Sequence, residues 1–155
     1  MKRTDVIIER ANVENAGEIL DLQKLAYQSE GALYDDYTIP PLTQTLEEIT
    51  ADFERQLFLK ASVDGRIIGS VRAYESEGTC CIGRLIVHPD FQNQGVGTRL
   101  LNEIERAFGQ ARRYELFTGD KSERNLYLYQ KLGYQPFKTE MVTEDLVLVF
   151  LEKCA

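Results

Sequence analysis

The chain has 155 residues, of which 43% are hydrophobic and 28% charged, and its formal net charge is -7 at pH 7. This length fits a single domain, residues 1–155, with a core large enough to fold without disulfides. The acidic balance argues against a nucleic-acid partner, whose affinity comes mostly from clustered Lys and Arg, and no apolar run reaches the roughly 18 residues of a membrane span.

Runs of apolar residues at strand and helix spacing alternate along the first half of the chain. Gly31, Pro40 and Pro41 interrupt the helical pattern, and Asp64-Gly65 between two apolar runs is a strong hairpin signal. In chain order we predict a strand at residues 6–8, a helix at 13–29, a loop or broken helix at 30–42, a helix after 45 and a strand at 58–63.

The second half continues with strands at residues 67–74 and 80–87, a helix from Gly95 to Gly109, a strand at 114–118, a helix at 122–132 and two strands within 134–151. The strand, helix and strand between residues 80 and 118 imply one parallel pair. We therefore predict an α/β (α+β) fold of three layers. Its mixed, mostly antiparallel sheet has about seven strands and is flanked by about four helices.

The cysteines and the single histidine exclude several kinds of site. Cys80 and Cys81 are adjacent and Cys154 stands alone, which is neither a disulfide framework nor a metal-ligand spacing. His88 precedes a proline and is typical of a turn, and one histidine is too few for most zinc and Ser-His sites. We predict no metal and a reducing, cytoplasmic location.

The clearest chemical signal lies in residues 86–101, where an apolar strand leads through a proline turn into a helix with glycines at its start. N–H groups in the first turn of a helix lack partners and attract anions. Gly95 and Gly97 let a phosphate approach the main chain. The chain has no Gly-Lys-Ser/Thr P-loop here and lacks the third glycine of a dinucleotide site, so the segment indicates another kind of diphosphate site.

Residues 92–97, Gln-Asn-Gln-Gly-Val-Gly, resemble the Gln/Arg-x-x-Gly-x-Gly/Ala signature of the GNAT family of N-acetyltransferases. Residues 129–134 resemble the family's Tyr-x-Lys-x-Gly-Phe/Tyr segment, and the predicted order of strands and helices is similar over nearly the whole chain. The resemblance implies that acetyl-coenzyme A is the acyl donor. It also implies that the pantetheine arm fills a gap between residues 85–87 and 116–118.

The resemblance implies a set of cofactor-binding positions: Leu85, Val87, Gln92, Asn93, Gln94, Gly95, Val96, Gly97, Thr98, Arg99, Ser122 and Asn125. Many relatives carry Asn where this chain has Ser122, and Asn125, one turn later, is the alternative. Ser122 is equally well interpreted as a simple helix N-cap, and Arg99 as a solvated surface charge.

In the family, the position of Tyr129 is that of a general acid for the leaving thiolate. A phenol of pKa about 10 can donate a proton to a thiolate of pKa about 8.5 as it forms. A core role is the alternative, because Tyr129 shares a helical stripe with Leu126 and Leu132. Tyr127 lies on nearly the opposite face.

The expected acceptor is an amine of a small molecule or a peptide. Presenting the free amine of a lysine-like group at pH 7 costs about 4–5 kcal/mol, so a base is expected. The strand at residues 79–87 contains no carboxylate. The candidate bases are therefore Glu30, Asp35, Asp36 and Glu75, each of which could equally be a surface charge.

Acidic and aromatic residues in the loop after the first helix suit a cationic acceptor. We predict substrate contacts by Glu30, Tyr34, Asp35 and Glu75, with Asp36 and Tyr37 nearby. The alternative function is a non-catalytic acyl-coenzyme A sensor or scaffold that keeps the same diphosphate site. Exposed strand edges in the tail make a homodimer a further expectation.

Overall fold

The computed structural model describes residues 5–155. Its strands are β1 (Ile7–Arg10), β2 (Leu57–Val63), β3 (Arg66–Ser76), β4 (Thr79–Val87), β5 (Arg113–Gly119), β6 (Gln135–Met141) and β7 (Val147–Cys154). Its helices are α1 (Ala16–Ala26), α2 (Gln28–Tyr34), α3 (Pro40–Thr43), α4 (Leu46–Arg55), α5 (Val96–Ala107) and α6 (Glu123–Lys131). Short 3₁₀ turns lie at Val13–Asn15 and Pro89–Phe91.

The strands form one sheet in the order β1-β2-β3-β4-β5-β7-β6. Strands β4 and β5 are parallel, and the other neighbouring pairs are antiparallel. The predicted mixed, mostly antiparallel sheet of seven strands is thereby confirmed. Six α-helical segments replace the predicted four, since α3 is a single turn and the first predicted helix is divided.

The region of the first predicted helix contains a short turn and two helices. Asn12 caps the Val13–Asn15 turn, because its side chain accepts from the N–H of Glu14 at 3.0 Å. Helix α1 then ends at Tyr27, and α2 runs through part of the predicted loop. Gly31 does not break α2: a Cβ there would lie 2.6 Å from Tyr37 Cδ1, so this glycine permits close packing. Strand β7 likewise extends beyond the predicted end at residue 151.

Apolar side chains fill both faces of the sheet. One cluster packs α5 and α6 on the sheet and includes the fully buried Leu100, Leu101 and Ile104. The other packs α1 and α4 on the opposite face and includes Ile19 and Ile49. The predicted three layers are thus confirmed, and the buried stripe of α5 holds the start of that helix in place. None of the helices within residues 5–155 combines the length and apolar character needed to cross a membrane.

Strand β4 bends and then leaves β5. Its pairing with β3 shifts register between Ser70 and Arg72, and Arg84 adopts a left-handed backbone there (φ 48°). Strands β4 and β5 pair only from Thr79 to Cys81 on the β4 side. Beyond that point they diverge, which opens the gap predicted between residues 85–87 and 116–118.

Candidate active site

The start of α5 is bare of side-chain caps. Gly95, the residue before the helix, has a left-handed backbone (φ 84°) and its carbonyl accepts from the N–H of Arg99 at 3.0 Å. No side chain caps the first turn. The N–H groups of Val96, Gly97 and Thr98 therefore have no intrahelical acceptor and form a site of partial positive charge.

A cavity of about 770 Å³ lies at this helix start and is called the first cavity below. The predicted cofactor residues that line it are Leu85, Val87, Gln92, Asn93, Gly95, Val96, Gly97, Thr98, Ser122 and Asn125. Gln94 and Arg99 do not line it. The Arg99 guanidinium donates to the carbonyl of Val6 at 3.3 Å, and its phosphate contact stays a prediction.

Protein packing leaves room for a side chain at both glycines of this helix start. A Cβ built at Gly95 meets nothing within 4 Å, and one at Gly97 meets Leu128 first, at an ordinary 3.6 Å. The positive φ explains Gly95, but protein packing does not require a glycine at residue 97. Glycine inside a helix costs about 0.5–1 kcal/mol relative to alanine. A bulky group that approaches the main chain from the cavity would account for it.

Positive side chains outnumber negative ones around the first cavity, although the whole chain is acidic. Lys121, Arg124 and Lys131 line it together with Glu30 and Glu123, and Arg124 donates to the side-chain oxygen of Gln92. The amide nitrogen of Gln92 in turn donates to the carbonyl of Val87 at 3.1 Å. Composition misses this feature because the net charge averages over the surface. The local charge suits an anionic ligand.

A second cavity, of about 270 Å³, adjoins the first and shares Tyr27, Glu30, Leu85 and Asn125 with it. Tyr129 lines the second cavity and is 5% exposed. Within residues 5–155 its hydroxyl has no hydrogen-bond partner. Burial raises the pKa of Tyr129, and the nearby Tyr27 and Glu30 raise that pKa further. The hydroxyl therefore stays protonated at neutral pH and is available as a donor.

Two polar residues of the α6 region border the gap between the strands. Ser122 is buried at the N-cap position of α6 and makes no capping hydrogen bond through its side chain, so the simple cap is not formed. The Asn125 amide nitrogen donates to the hydroxyl of Thr118 at 3.3 Å. Its side-chain oxygen is left for another donor, and Asn125 lines both cavities.

The predicted acceptor residues separate into two groups. Glu30 lines both cavities, and Tyr34 lines the second. The Tyr34 hydroxyl donates to Asp120 at 3.1 Å and accepts from the N–H of Lys121 at 2.7 Å, so it ties α2 to the loop after β5. Burial raises the pKa of Tyr34 to about 12. Tyr34 is therefore a wall of the cavity whose hydroxyl is already engaged.

The other acidic candidates lie away from both cavities. Asp35 is the exposed left-handed residue that ends α2, and Asp36 accepts from the hydroxyl of Thr38 at 2.5 Å. Glu75 pairs with Cys80 in the register of β3 and β4, at the opposite end of β4 from the cavities. Asp35 and Glu75 line neither cavity and their substrate contacts stay predictions, whereas Glu30, among the predicted bases, lines both cavities.

A buried polar network behind the second cavity is absent from the sequence predictions. Arg72, whose side chain is 5% exposed, donates to Asp52 at 3.0 Å and to the fully buried Gln23 at 2.7 Å. Gln44 donates to Asp52 at 2.8 Å and accepts from Arg84 at 3.0 Å. These residues come from α1, α4, β3, β4 and the segment after α3, so no local pattern could have identified them.

Comparison with known proteins agrees with this geometry. Residues 18–134 match the family model described as the acetyltransferase (GNAT) family. The crystal structure of the PaiA N-acetyltransferase from Thermoplasma acidophilum in complex with coenzyme A has the same fold. It superposes with a TM-score of 0.80 at 17% identity, covering 97% of this chain and 99% of that chain.

Two curated relatives are longer than this chain. The UPF0157 protein YqkA of Bacillus subtilis strain 168 is 30% identical over 133 residues, which are 86% of this chain and 38% of YqkA. The amino-acid acetyltransferase of Edwardsiella ictaluri is 24% identical over 138 residues, 89% of this chain and 29% of that protein. The chain thus spans well under half the length of either relative.

Proposed function

The chain belongs to the GNAT family of acetyltransferases, as the motif at residues 92–97 predicts, and on that premise we propose that it transfers an acetyl group from acetyl-coenzyme A directly to an amine. The observation that carries the proposal is the uncapped start of α5, where Gly97 lines the first cavity although packing does not require a glycine there. Acetyl-coenzyme A supplies the acetyl group as a thioester. The acceptor is an amine of a small molecule or a peptide.

The residues present fit this cosubstrate. The N–H groups of the first turn of α5 would hold the diphosphate, and Lys121, Arg124 and Lys131 would add positive charge beside it. The gap between β4 and β5 is where the pantetheine arm would lie, beside Leu85. The solved relative that binds coenzyme A on the same fold supports this arrangement.

Glu30 is the proposed base. It lines both cavities, so it borders the point where acceptor and donor would meet. A primary amine is an ammonium ion at pH 7, and its proton must be removed before it can attack a thioester. The Glu30 carboxylate would take that proton directly or through a water molecule.

Tyr129 is the proposed general acid. Its hydroxyl lies in the second cavity next to the divergence of β4 and β5, and it has no competing partner in the described part of the chain. The raised pKa of Tyr129 keeps the proton in place until the sulfur begins to leave. Asn125, which lines both cavities, would orient the thiol end of the arm.

Product formation tests the proposal. The chain is incubated with acetyl-coenzyme A and a panel of primary amines, and N-acetylated product is measured by chromatography and mass spectrometry. Detecting the product is preferable to detecting released coenzyme A with a thiol reagent, because the exposed Cys154 would also react with that reagent. We expect acetyl-coenzyme A-dependent product with at least one class of amine. Tight binding of acetyl-coenzyme A without product from any amine would contradict transfer and support a sensor or scaffold.

A further inference from the structure

Arg84 holds an uncommon backbone at the wall of the second cavity. It lies at the bulge of β4 with φ 48°, and it lines the cavity that also holds Tyr129. A left-handed backbone is unfavourable for a residue other than glycine, and such strain is concentrated at functional sites. A glycine would relieve the strain, so we ask what the arginine side chain does here.

Among residues 5–155, no carboxylate pairs with the positive charge of Arg84. Asp52 is the carboxylate of the buried network, and it pairs with Arg72 at 3.0 Å and, on its exposed side, with Arg55 at 3.2 Å. Arg84 donates only to the neutral side-chain oxygen of Gln44, at 3.0 Å. Within residues 5–155 no carboxylate oxygen lies within 4 Å of the Arg84 guanidinium.

The network fixes the position of Arg84. The Gln44 amide nitrogen donates to Asp52 at 2.8 Å, so its oxygen faces Arg84 and also accepts from Gln23 at 3.0 Å. Gln23 in turn accepts from Arg72 at 2.7 Å. Arg84 itself lines the second cavity, and its guanidinium has N–H donors beyond the one that bonds Gln44.

Opposite charges border the second cavity. Glu30 and Arg84 both line it. Both also act on Tyr27: burial raises the pKa of Tyr27 most, Arg84 lowers that pKa and Glu30 raises it. Apart from the residues of the gap between β4 and β5, much of the wall is apolar, including Ile39, Pro40 and Leu148.

We propose that Arg84 binds a carboxylate of the acceptor, so that the acceptor class is an amino carboxylate with an apolar body, such as a hydrophobic amino acid. This deepens the proposed function and rests on it. The amine lies toward Glu30 and Tyr129, the carboxylate pairs with the Arg84 guanidinium, and the apolar body contacts the wall between them. A cavity of about 270 Å³ limits the acceptor to this size class.

Matched acceptors test the proposal. Leucine, leucinamide and 3-methylbutylamine share an apolar body, and only leucine carries a carboxylate. We expect the wild-type kcat/KM for leucine to exceed that for leucinamide by about 10-fold or more, since a charge-assisted pair carries the difference. The amide has the more acidic ammonium group, which biases this comparison against the proposal.

The Arg84→Gln variant removes the charge but keeps a side chain on the same backbone. We expect its kcat/KM for leucine to exceed that for leucinamide by only about two-fold or less, mostly because the KM for leucine rises. Arg55→Gln is the matched control, because Arg55 belongs to the same network through Asp52 but does not line the cavity, and 73% of its side chain is accessible. In Arg55→Gln the ratio of kcat/KM for leucine to kcat/KM for leucinamide should equal that of the wild type.

The possible results distinguish a failure of the role of Arg84 from a failure of acetyl transfer. Equal use of leucine and the two amines by the wild type overturns the role of Arg84 and leaves acetyl transfer standing. No product from any amine overturns acetyl transfer and this inference with it. If Arg84→Gln does not fold, inhibition of the wild type by 4-methylpentanoate, which has the carboxylate and the apolar body but no amine, tests the proposal instead. We expect competitive inhibition against leucine. No inhibition would overturn the proposal.

Discussion

The two cavities are built in different ways. The first includes a contiguous segment from the end of β4 to the start of α5, where main-chain donors face the cavity, and is completed by residues of the α2 and α6 regions. The second is formed by side chains from distant parts of the chain, supported by the buried network of Gln23, Arg72 and Asp52. The first suits any ligand with a diphosphate, whereas the second can select one acceptor.

The two regions also contain different features that lower the stability of the fold. In the first, Gly97 has a lower helix propensity than alanine, and the backbone N–H groups of the first turn lack acceptors. The second contains a strained residue, Arg84, and an ion pair between Arg72 and Asp52 that is largely out of water. Substitutions in the network should therefore affect folding, and substitutions at the helix start should affect ligand binding.

The largest expected effect is on stability. Replacing Arg72 with Met leaves Asp52 and Gln23 without their main partner, which should lower the free energy of unfolding by about 3–5 kcal/mol. Chemical denaturation measures the change. Arg55→Met is the control, since Arg55 pairs with the same carboxylate but is 73% exposed. Exposed pairs contribute about 0–1 kcal/mol, and equal losses in the two variants would contradict the distinction.

The next effect is on the rate. Removing the Tyr129 hydroxyl with Phe should reduce kcat by about 100-fold or more, because general acid catalysis contributes that much. The affinity for coenzyme A should stay within about two-fold, since the hydroxyl lies in the second cavity. Steady-state kinetics and calorimetry give the two values. Tyr74→Phe, on the exposed end of β3, is the control. A kcat for Tyr129→Phe equal to that of the wild type would exclude the proposed acid.

A smaller effect is expected at the rim of the first cavity. Replacing the exposed Arg124 with Gln should weaken coenzyme A binding by a factor of about 2–5, because exposed charge pairs contribute little. The difference from the wild type should shrink as ionic strength rises. Titrations at low and high salt measure it. A loss that does not depend on salt would indicate that Arg124 acts through packing around Gln92.

The smallest effect tests whether Gly97 is needed for ligand binding or for the fold itself. Gly97→Ala should stabilise the ligand-free protein by about 0.5–1 kcal/mol, since the new methyl group finds only ordinary contacts. Gly17→Ala, at an open position of α1, should do the same. Thermal denaturation without ligand checks both. Destabilisation by Gly97→Ala would mean that the fold itself requires this glycine.

The same contrast explains what the sequence could predict. The helix start at Gly95 and the position of Tyr129 are predictable because each depends on a few consecutive residues. The network is not, because its hydrogen bonds join residues such as Gln23 and Arg72, 49 positions apart. Tyr34 likewise meets Asp120 across 86 positions. Gly31 was predicted to interrupt a helix, and only the contact with Tyr37 reveals its packing role.

Calorimetry with coenzyme A is the most direct test of the diphosphate site at α5. The Cβ of Gly97→Ala would lie at the wall of the first cavity in the first turn of α5, whereas that of Gly17→Ala lies on α1, away from the first cavity. We predict that Gly17→Ala binds coenzyme A as the wild type does and that Gly97→Ala binds it at least about 10-fold more weakly. Equal affinities for all three proteins would contradict a diphosphate held by the first turn of α5.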